Sequence, residues 1–396
     1  MPAVADVIIL LLLVIGLTAG FRAGLFSTLG AACGLLAGAA ATPWVLPLIA
    51  RELPETGWRS AAVIAAAAGL LALGGCIGAA VGALIRSGAD RIRLRPLERL
   101  LGGALGLIAA VTSVSLIGSA VAASGIPGVS STVASSSLLR YLDRVTPEPL
   151  VEAMARLHSA LLGDTVLPAI DGLIDESLVL ASPDLSRVDT DDPALAAAGA
   201  SVARISGIAH GCGTMPTGSG FVVAEDRIVT NAHVVAGIDT PLVELPGQPA
   251  RDGRVVYFDP VDDLAIVAAD VDAAPLPLDD ALAPGGVGAV QGYPHGGPFR
   301  TVAAGVLATG STTVPDIYGS GGAQRFVHTL DAVVQPGNSG GPLLTEAGAV
   351  AGVVFARDAV RPGVGYAMTL AELLPVLATL DASAEPAAVP SGRCVG

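Results

Sequence analysis

The chain has 396 residues and a formal net charge of −14, which is room for two or three domains. Residues 1–123 hold eight Arg against five acids, residues 124–396 hold 13 Arg against 30 acids, and there is no Lys. That balance excludes a nucleic-acid binder, which needs clustered Arg or Lys, and the four cysteines lack zinc-site spacing, so neither metal nor cofactor is expected.

Four apolar stretches open the chain, at about 4–21, 25–48, 59–85 and 100–123, and the last two reach the length of a membrane-crossing helix. The first lacks a basic start and is followed by three more, so it reads as a retained span and not a cleaved signal. Pro43 and Pro47 bend or end the second. The loop before the fourth carries Arg86, Arg91, Arg93, Arg95 and Arg99, and basic loops stay in the cytoplasm. Arg22 agrees. Four spans then put the N-terminus and residues 124–396 outside, which predicts a multi-pass inner-membrane protein with its C-terminal half in the periplasm or an equivalent space. No ionisable residue falls mid-span, as a transport path would require. Gly30/Gly34/Gly38, Gly74/Gly78/Gly82 and Gly102/Gly106 instead follow the GxxxG spacing of closely packed helices. Residues 1–123 are thus expected to form a four-helix transmembrane bundle.

Cys33 and Cys76 fall within these stretches and read as small buried hydrophobes. Cys212 and Cys394 bracket the acidic region. Disulfides persist outside the cytoplasm, so a Cys212–Cys394 bridge is expected, worth roughly 5 kcal/mol in the chain-entropy model before strain.

Residues 124–200 read as a linker. Serines cluster at 130–137, and Leu150, Met154, Leu157, Leu161 and Leu162 recur at helical spacing. One or two amphipathic helices are expected, with His158 a surface residue. Asp189-Thr190-Asp191-Asp192-Pro193 reads as a solvated connector. Such an exposed segment is a candidate for self-cleavage.

From residue 201 the pattern changes to short Val/Ile-rich runs between Gly, Pro and Asp, such as Gly220–Val223, Arg227–Thr230, Leu264–Ala268 and Val350–Phe355. Many short strands with turn signals indicate an all-β sandwich or barrel. Three motifs occur in order: Thr230-Asn231-Ala232-His233-Val234-Val235, Asp262-Asp263-Leu264-Ala265, and Gly337-Asn338-Ser339-Gly340-Gly341-Pro342. A base, an acid and a serine in that order are the parts of an acyl-transfer site.

With Gly218-Ser219-Gly220-Phe221-Val222-Val223 ahead of them and Asp331-Ala332 before the serine loop, these motifs resemble trypsin-like proteases of the HtrA/chymotrypsin clan over about residues 200–380. The apolar half is similar in span number and hydropathy to the colicin V production family. The two together resemble actinobacterial membrane-anchored acid-resistance periplasmic serine proteases, the MarP type. The resemblance implies a multi-domain protein whose residues 201–396 form a chymotrypsin-like double β-barrel; the 57 residues after Ser339 leave no room for a PDZ domain. It implies Ser339 as nucleophile and His233 as base. The acid that directly precedes the Leu-Ala pair, Asp263, orients the base; its neighbour Asp262 competes for that role. Backbone N–H groups around Gly337, Asn338 and Ser339 would form the oxyanion hole. Val333, six before the nucleophile, would floor an apolar substrate pocket, and Val354-Phe355-Ala356 would be the strand edge that pairs with substrate, Phe355 narrowing the pocket. His295 reads as a loop residue near the cleft, and His210 and His328 as structural. The function implied is cleavage of cell-envelope proteins in acid or oxidative stress, with Cys212–Cys394 as a redox brace. The alternative is a peptide-binding scaffold or sensor that does not cleave.

Overall fold

A computed structural model describes residues 2–52, 59–89, 95–122, 132–133, 136–145, 167–170, 181–209, 214–379 and 387–395. The chain divides into two compact units, residues 3–115 and residues 116–396 with the first two residues.

Four helices make up the first unit, the last of them ending a few residues past it: α1 Pro2–Ala23, α2 Leu25–Glu52, α3 Arg59–Ala89 and α4 Arg95–Ala122. Glycines set their pairing. A Cβ on Gly16 or Gly20 would fall 2.9 and 2.2 Å from carbonyls of Gly106 and Gly102, and one on Gly30 or Gly34 would fall 2.2 and 2.0 Å from those of Gly78 and Gly74. The α1/α4 and α2/α3 pairs therefore pack backbone to backbone, which is what the small-residue spacing permits. Among the described residues, two segments are long and apolar enough to cross a membrane, Val4–Ala23 and Pro96–Ser115, against the four expected. The expectation counted α2 and α3 whole, whereas their described apolar pieces, Leu25–Leu35 and Ala72–Ile85, are shorter than a span. The linker helices expected over 150–174 lie mostly outside the described residues.

Two seven-stranded sheets build the second unit. The first runs β6-β5-β2-β3-β4-β8-β7, with β2 Val202–Ser206, β3 Thr217–Ala224, β4 Arg227–Thr230, β5 Leu242–Glu244, β6 Arg251–Asp252, β7 Arg254–Asp259 and β8 Leu264–Ala268. Its edge strands β6 and β7 are separated by Gly253 alone, so the sheet must curl until its edges nearly meet. The second runs β1-β13-β12-β9-β10-β11-β14 and closes through an added β13–β14 pairing. Its strands are β1 Ala169–Ile170, β9 Val287–Gly292, β10 Arg300–Pro315, β11 Gly322–Asp331, β12 Pro342–Thr345, β13 Val350–Asp358 and β14 Val364–Thr369.

Strand alternation divides the apolar residues between three cores. Ala203, Ile205, Val222, Ile228, Ala265 and Val267 fill the first barrel. Val290, Val306, Leu330, Leu343 and Val354 fill the second. Their neighbours Val202, Phe221, Val229, Leu264 and Ile266 face Val353, Phe355, Tyr366 and Met368 across the seam between the barrels. Strands buried on both faces read as continuous apolar runs, which is how Leu264–Ala268 and Val350–Phe355 look in the sequence. The short helix Pro193–Gly199, capped by Asp192 Oδ1 on Ala194 N–H at 2.7 Å, adds Leu195 and Ala198 to the seam. Asp192 thus ends the acidic run as a helix cap.

The β13–β14 hairpin is locked by Asp358, a buried residue. Its carboxylate accepts from Tyr366 Oη at 2.6 Å, from Arg361 Nη2 at 2.8 Å and from the backbone N–H groups of Val360 and Arg361. Burial pushes this carboxyl up, but the hydrogen bonds from Arg361 and Tyr366 outweigh it and hold it below the usual carboxylate range. A folded pKa below the unfolded one adds stability that is full above about pH 4 and is lost as pH falls further. Asp358→Asn is expected to cost about 1.5–3 kcal/mol at pH 7, read by urea unfolding, with the gap to wild type closing under acid.

Candidate active site

The three motifs meet at the seam. Thr230-Asn231 ends β4 and His233 sits in the one-turn helix Ala232–Val235 that follows. Each motif residue has a task. Thr230 Oγ1 donates to the Ser219 carbonyl at 2.7 Å, Asn231 Nδ2 donates to the Asp263 carbonyl at 2.9 Å, and Ala232 is fully buried in the first barrel's core. Asp263 lies in the turn before β8 with φ 55°, a left-handed conformation that Asp tolerates better than most residues. That turn aims its carboxylate at His233: Nδ1 is 2.8 Å from Oδ2 and 3.0 Å from Oδ1, and the His233 backbone N–H donates to Oδ1 at 3.0 Å. Asp262, one residue earlier, is partly exposed and points to a different partner, Arg325. Burial and the nearby Asp259 charge push the Asp262 carboxyl up.

His233, Asp263 and Ser339 are 4%, 3% and 2% exposed. The two atoms that would exchange a proton, His233 Nε2 and Ser339 Oγ, are buried, and neither has a hydrogen-bond partner among the described residues, the other included. Such contacts are commonly loose before substrate arrives.

The serine loop is seated by the first barrel, through Ser219 of β3. The Ser219 N–H donates to the Ser339 carbonyl at 2.8 Å, and its Oγ donates to the Gly337 carbonyl at 2.7 Å while accepting from Tyr293 N–H at 2.9 Å. From the other side, His295 N–H donates to the Pro336 carbonyl. A trans peptide points its C=O and N–H in opposite directions, so this bond turns the Gly337 N–H away from His295. Among the described residues, the N–H groups of Gly337 and Ser339 have no acceptor, which leaves two donors for an oxyanion. The Asn338 N–H, also expected there, is instead used in a turn to Gln335 at 3.0 Å. Gly337 has φ +95°, and a Cβ there would lie 2.2 Å from the Tyr293 carbonyl; no other residue fits. His295 itself has φ 56°. Sequence reading placed it in a loop but missed its backbone donor. It missed Ser219 as well, although the Gly218-Ser219-Gly220 string singles that residue out.

Other expected positions fall differently. Val333 is 57% exposed and open to a side chain from outside, whereas Val354 and Phe355 are fully buried. Phe355 packs on Tyr366, ring centroids 6.5 Å apart, within the core of the seam. β13 is paired on both sides, with β12 and β1 along one and β14 along the other. Close by, the Pro168 carbonyl accepts from the Arg357 N–H at 3.1 Å, where β1 runs parallel to β13. His328 is buried in β11, 2.7 Å from Thr309 Oγ1, with burial pulling its pKa down. Cys33 and Cys76 are free and exposed, not buried as expected, in keeping with helices whose outer faces are apolar. Cys394 is disulfide-bonded; Cys212, His210 and His158 lie outside the described residues.

Two family models match, "Trypsin-like peptidase domain" over residues 218–353 and "Colicin V production protein" over residues 5–147. The serine protease Rv3671c of Mycobacterium tuberculosis (strain ATCC 25618 / H37Rv) is 32% identical over 397 residues, 98% of each chain. This chain belongs to the Rv3671c family of serine proteases. The crystal structure of the Rv3671c protease in its active form is 35% identical, with a TM-score of 0.52, over 58% of this chain and all of that one. The putative serine protease HhoB of Synechocystis is 35% identical over 158 residues, 39% of this chain and 38% of HhoB. The chain is therefore a serine protease with a colicin V-like helical N-terminal region and an all-β chymotrypsin-like C-terminal domain.

Asp263→Asn is expected to lower kcat on a peptide substrate by about 10⁴ through the wrong imidazole tautomer, while Asp262→Asn stays within about tenfold at pH 7. Ser219→Ala leaves the Gly337 carbonyl free to turn. It should cost about tenfold or more in kcat, short of the 10²–10³ for losing an oxyanion donor outright, with KM little changed.

Proposed function

We propose that the chain is a membrane-anchored endopeptidase that cleaves cell-envelope proteins outside the cytoplasm through an acyl-enzyme. The observation that carries this is the buried Ser339, His233 and Asp263 set beside two unspent N–H groups. Ser339 Oγ attacks the scissile carbonyl as His233 Nε2 takes its proton; Asp263 holds the imidazole by Nδ1 and offsets its charge. The N–H groups of Gly337 and Ser339 bind the oxyanion. His233 passes the proton to the leaving amine, and water then enters by the same route to free the acid. Val333 at the pocket floor favours an apolar P1 side chain, and substrate backbone pairs by strand addition at residues 355–356, between the stretches of β13 that β12 and β1 occupy.

Anchoring is supported by the exposed apolar face of α1, where Ile8, Leu11 and Ile15 are all more than half exposed, a surface suited to lipid. The helical lengths of α2 and α3, 28 and 31 residues, support a four-span topology, and the Arg86–Arg99 cluster supports its orientation with residues 124–396 in the periplasm. The disulfide at Cys394, with Cys33 and Cys76 free in a chain of four cysteines, supports a Cys212–Cys394 bridge that reduction would open. Self-cleavage in the linker and a role in acid or oxidative stress complete the reading.

Ser339-dependent labelling by a fluorophosphonate probe tests the central claim, with Ser339→Ala as control. Labelling absent in both reducing and oxidising buffer would point to a domain that binds peptides without cutting them. The acid-stress role predicts kcat/KM still measurable below pH 6; activity gone well above pH 6 would sink it.

A further inference from the structure

β11 holds a side chain that the reaction above does not use. Arg325 is 0% exposed and heads the largest fully buried side chains. An ionised group out of water is costly unless its donors are paired, and this one is paired only in part. Nη2 donates to the main-chain carbonyls of Val261 and Pro315, whereas Nε and Nη1 have no hydrogen-bond partner. Nε stops 3.8 Å from Asp262 Oδ1, too far for a hydrogen bond, and the guanidinium carbon stands 5.9 Å from the centre of the Phe355 ring. The group is thus held between β13 of the second barrel and the 259–263 turn of the first, the turn that presents Asp263.

A salt bridge to Asp262 would be the plain explanation, but the geometry gives it little: Asp262 is 39% exposed and beyond hydrogen-bond reach. Four carboxylates act on the guanidinium from the elements packed around it. Burial pulls its pKa down, and Asp263 opposes that most among the carboxylates, ahead of Asp262, Glu372 and Asp259.

We propose that Arg325 is a positioning residue for catalysis, which pins the Val261–Asp263 turn to the second barrel and lays a fixed positive charge behind the carboxylate that orients His233. The pin ties an acid from one barrel to a nucleophile loop from the other. The charge opposes a second positive charge on the adjoining imidazole. A charged imidazole cannot act as base, so the fixed cation extends turnover toward acid. This rests on the triad reading, and Ser339-dependent fluorophosphonate labelling checks that reading separately.

The test is the pH profile of kcat/KM on a peptide substrate, using the full chain in detergent. Arg325→Met keeps the apolar stem and removes the charge. It should lower kcat more than it raises KM, and it should move the acid midpoint up by about 0.5–1 pH unit. Arg325→Lys should bring the midpoint most of the way back. Asp262→Asn removes a counter-charge without touching the pin, so its midpoint should fall; this variant decides the matter if Arg325→Met does not fold. A lower thermal midpoint with an unmoved acid limb in Arg325→Met would reduce Arg325 to a structural residue. An Arg325→Lys profile no better than that of Arg325→Met, or an Asp262→Asn midpoint that stays or rises, would overturn the proposal.

Discussion

Every functional distance in this protein depends on how the two barrels are held together at their seam. In the proposed reaction, base and acid come from the first barrel and nucleophile and oxyanion donors from the second, so a small slip between barrels would separate them. The seam resists slipping because it is a packed core, with Phe221, Val229, Leu264 and Ile266 against Val353, Phe355, Tyr366 and Met368. Packed interiors deform little. Polar bonds then set the register that apolar packing leaves loose. Ser219 alone places three hydrogen bonds on the serine loop and on Tyr293, all with buried partners whose loss would be costly.

Backbone strain gathers mainly at the same place. Among the described residues, three non-glycine residues have positive φ, and two of them, Asp263 and His295, serve the site directly. One turns the acid toward the imidazole, and the other presents the backbone donor that orients the Pro336–Gly337 peptide. Backbone conformations of this kind persist where the surroundings over-determine them. Here the surroundings are Asn231 on the Asp263 carbonyl and Pro336 on the His295 N–H.

The helical unit follows a different rule. Its pairs approach until glycine meets carbonyl, as at Gly34 and Gly74. Small residues at a helix interface are what let two backbones come that close. Glycine spacing therefore matters more there than hydrophobic periodicity, and it was visible as GxxxG in the chain.

Much of the fold and site was legible in the sequence. The Thr-Asn-Ala-His, Asp-Leu-Ala and Gly-Asn-Ser-Gly-Gly strings are local, each small enough for its own spacing to carry its geometry, and Gly337 and Gly340 announce their left-handed backbone by composition. Strand alternation was legible too, blurred only where both faces are buried. Other features depend on contacts between residues far apart in the chain, and no local pattern encodes those. Asp263 was legible over Asp262 from the Leu-Ala pair that follows it, but the bond that holds its turn, from Asn231 32 positions away, was not. Phe355 belongs to the seam, Ser219 seats a loop 118 residues on, and the buried Arg325 bonds to the Val261 carbonyl 64 positions before it. The chain by itself determined which chemistry was possible, since that follows from residue types and local spacing; only the packing of one barrel on the other decided which atoms meet.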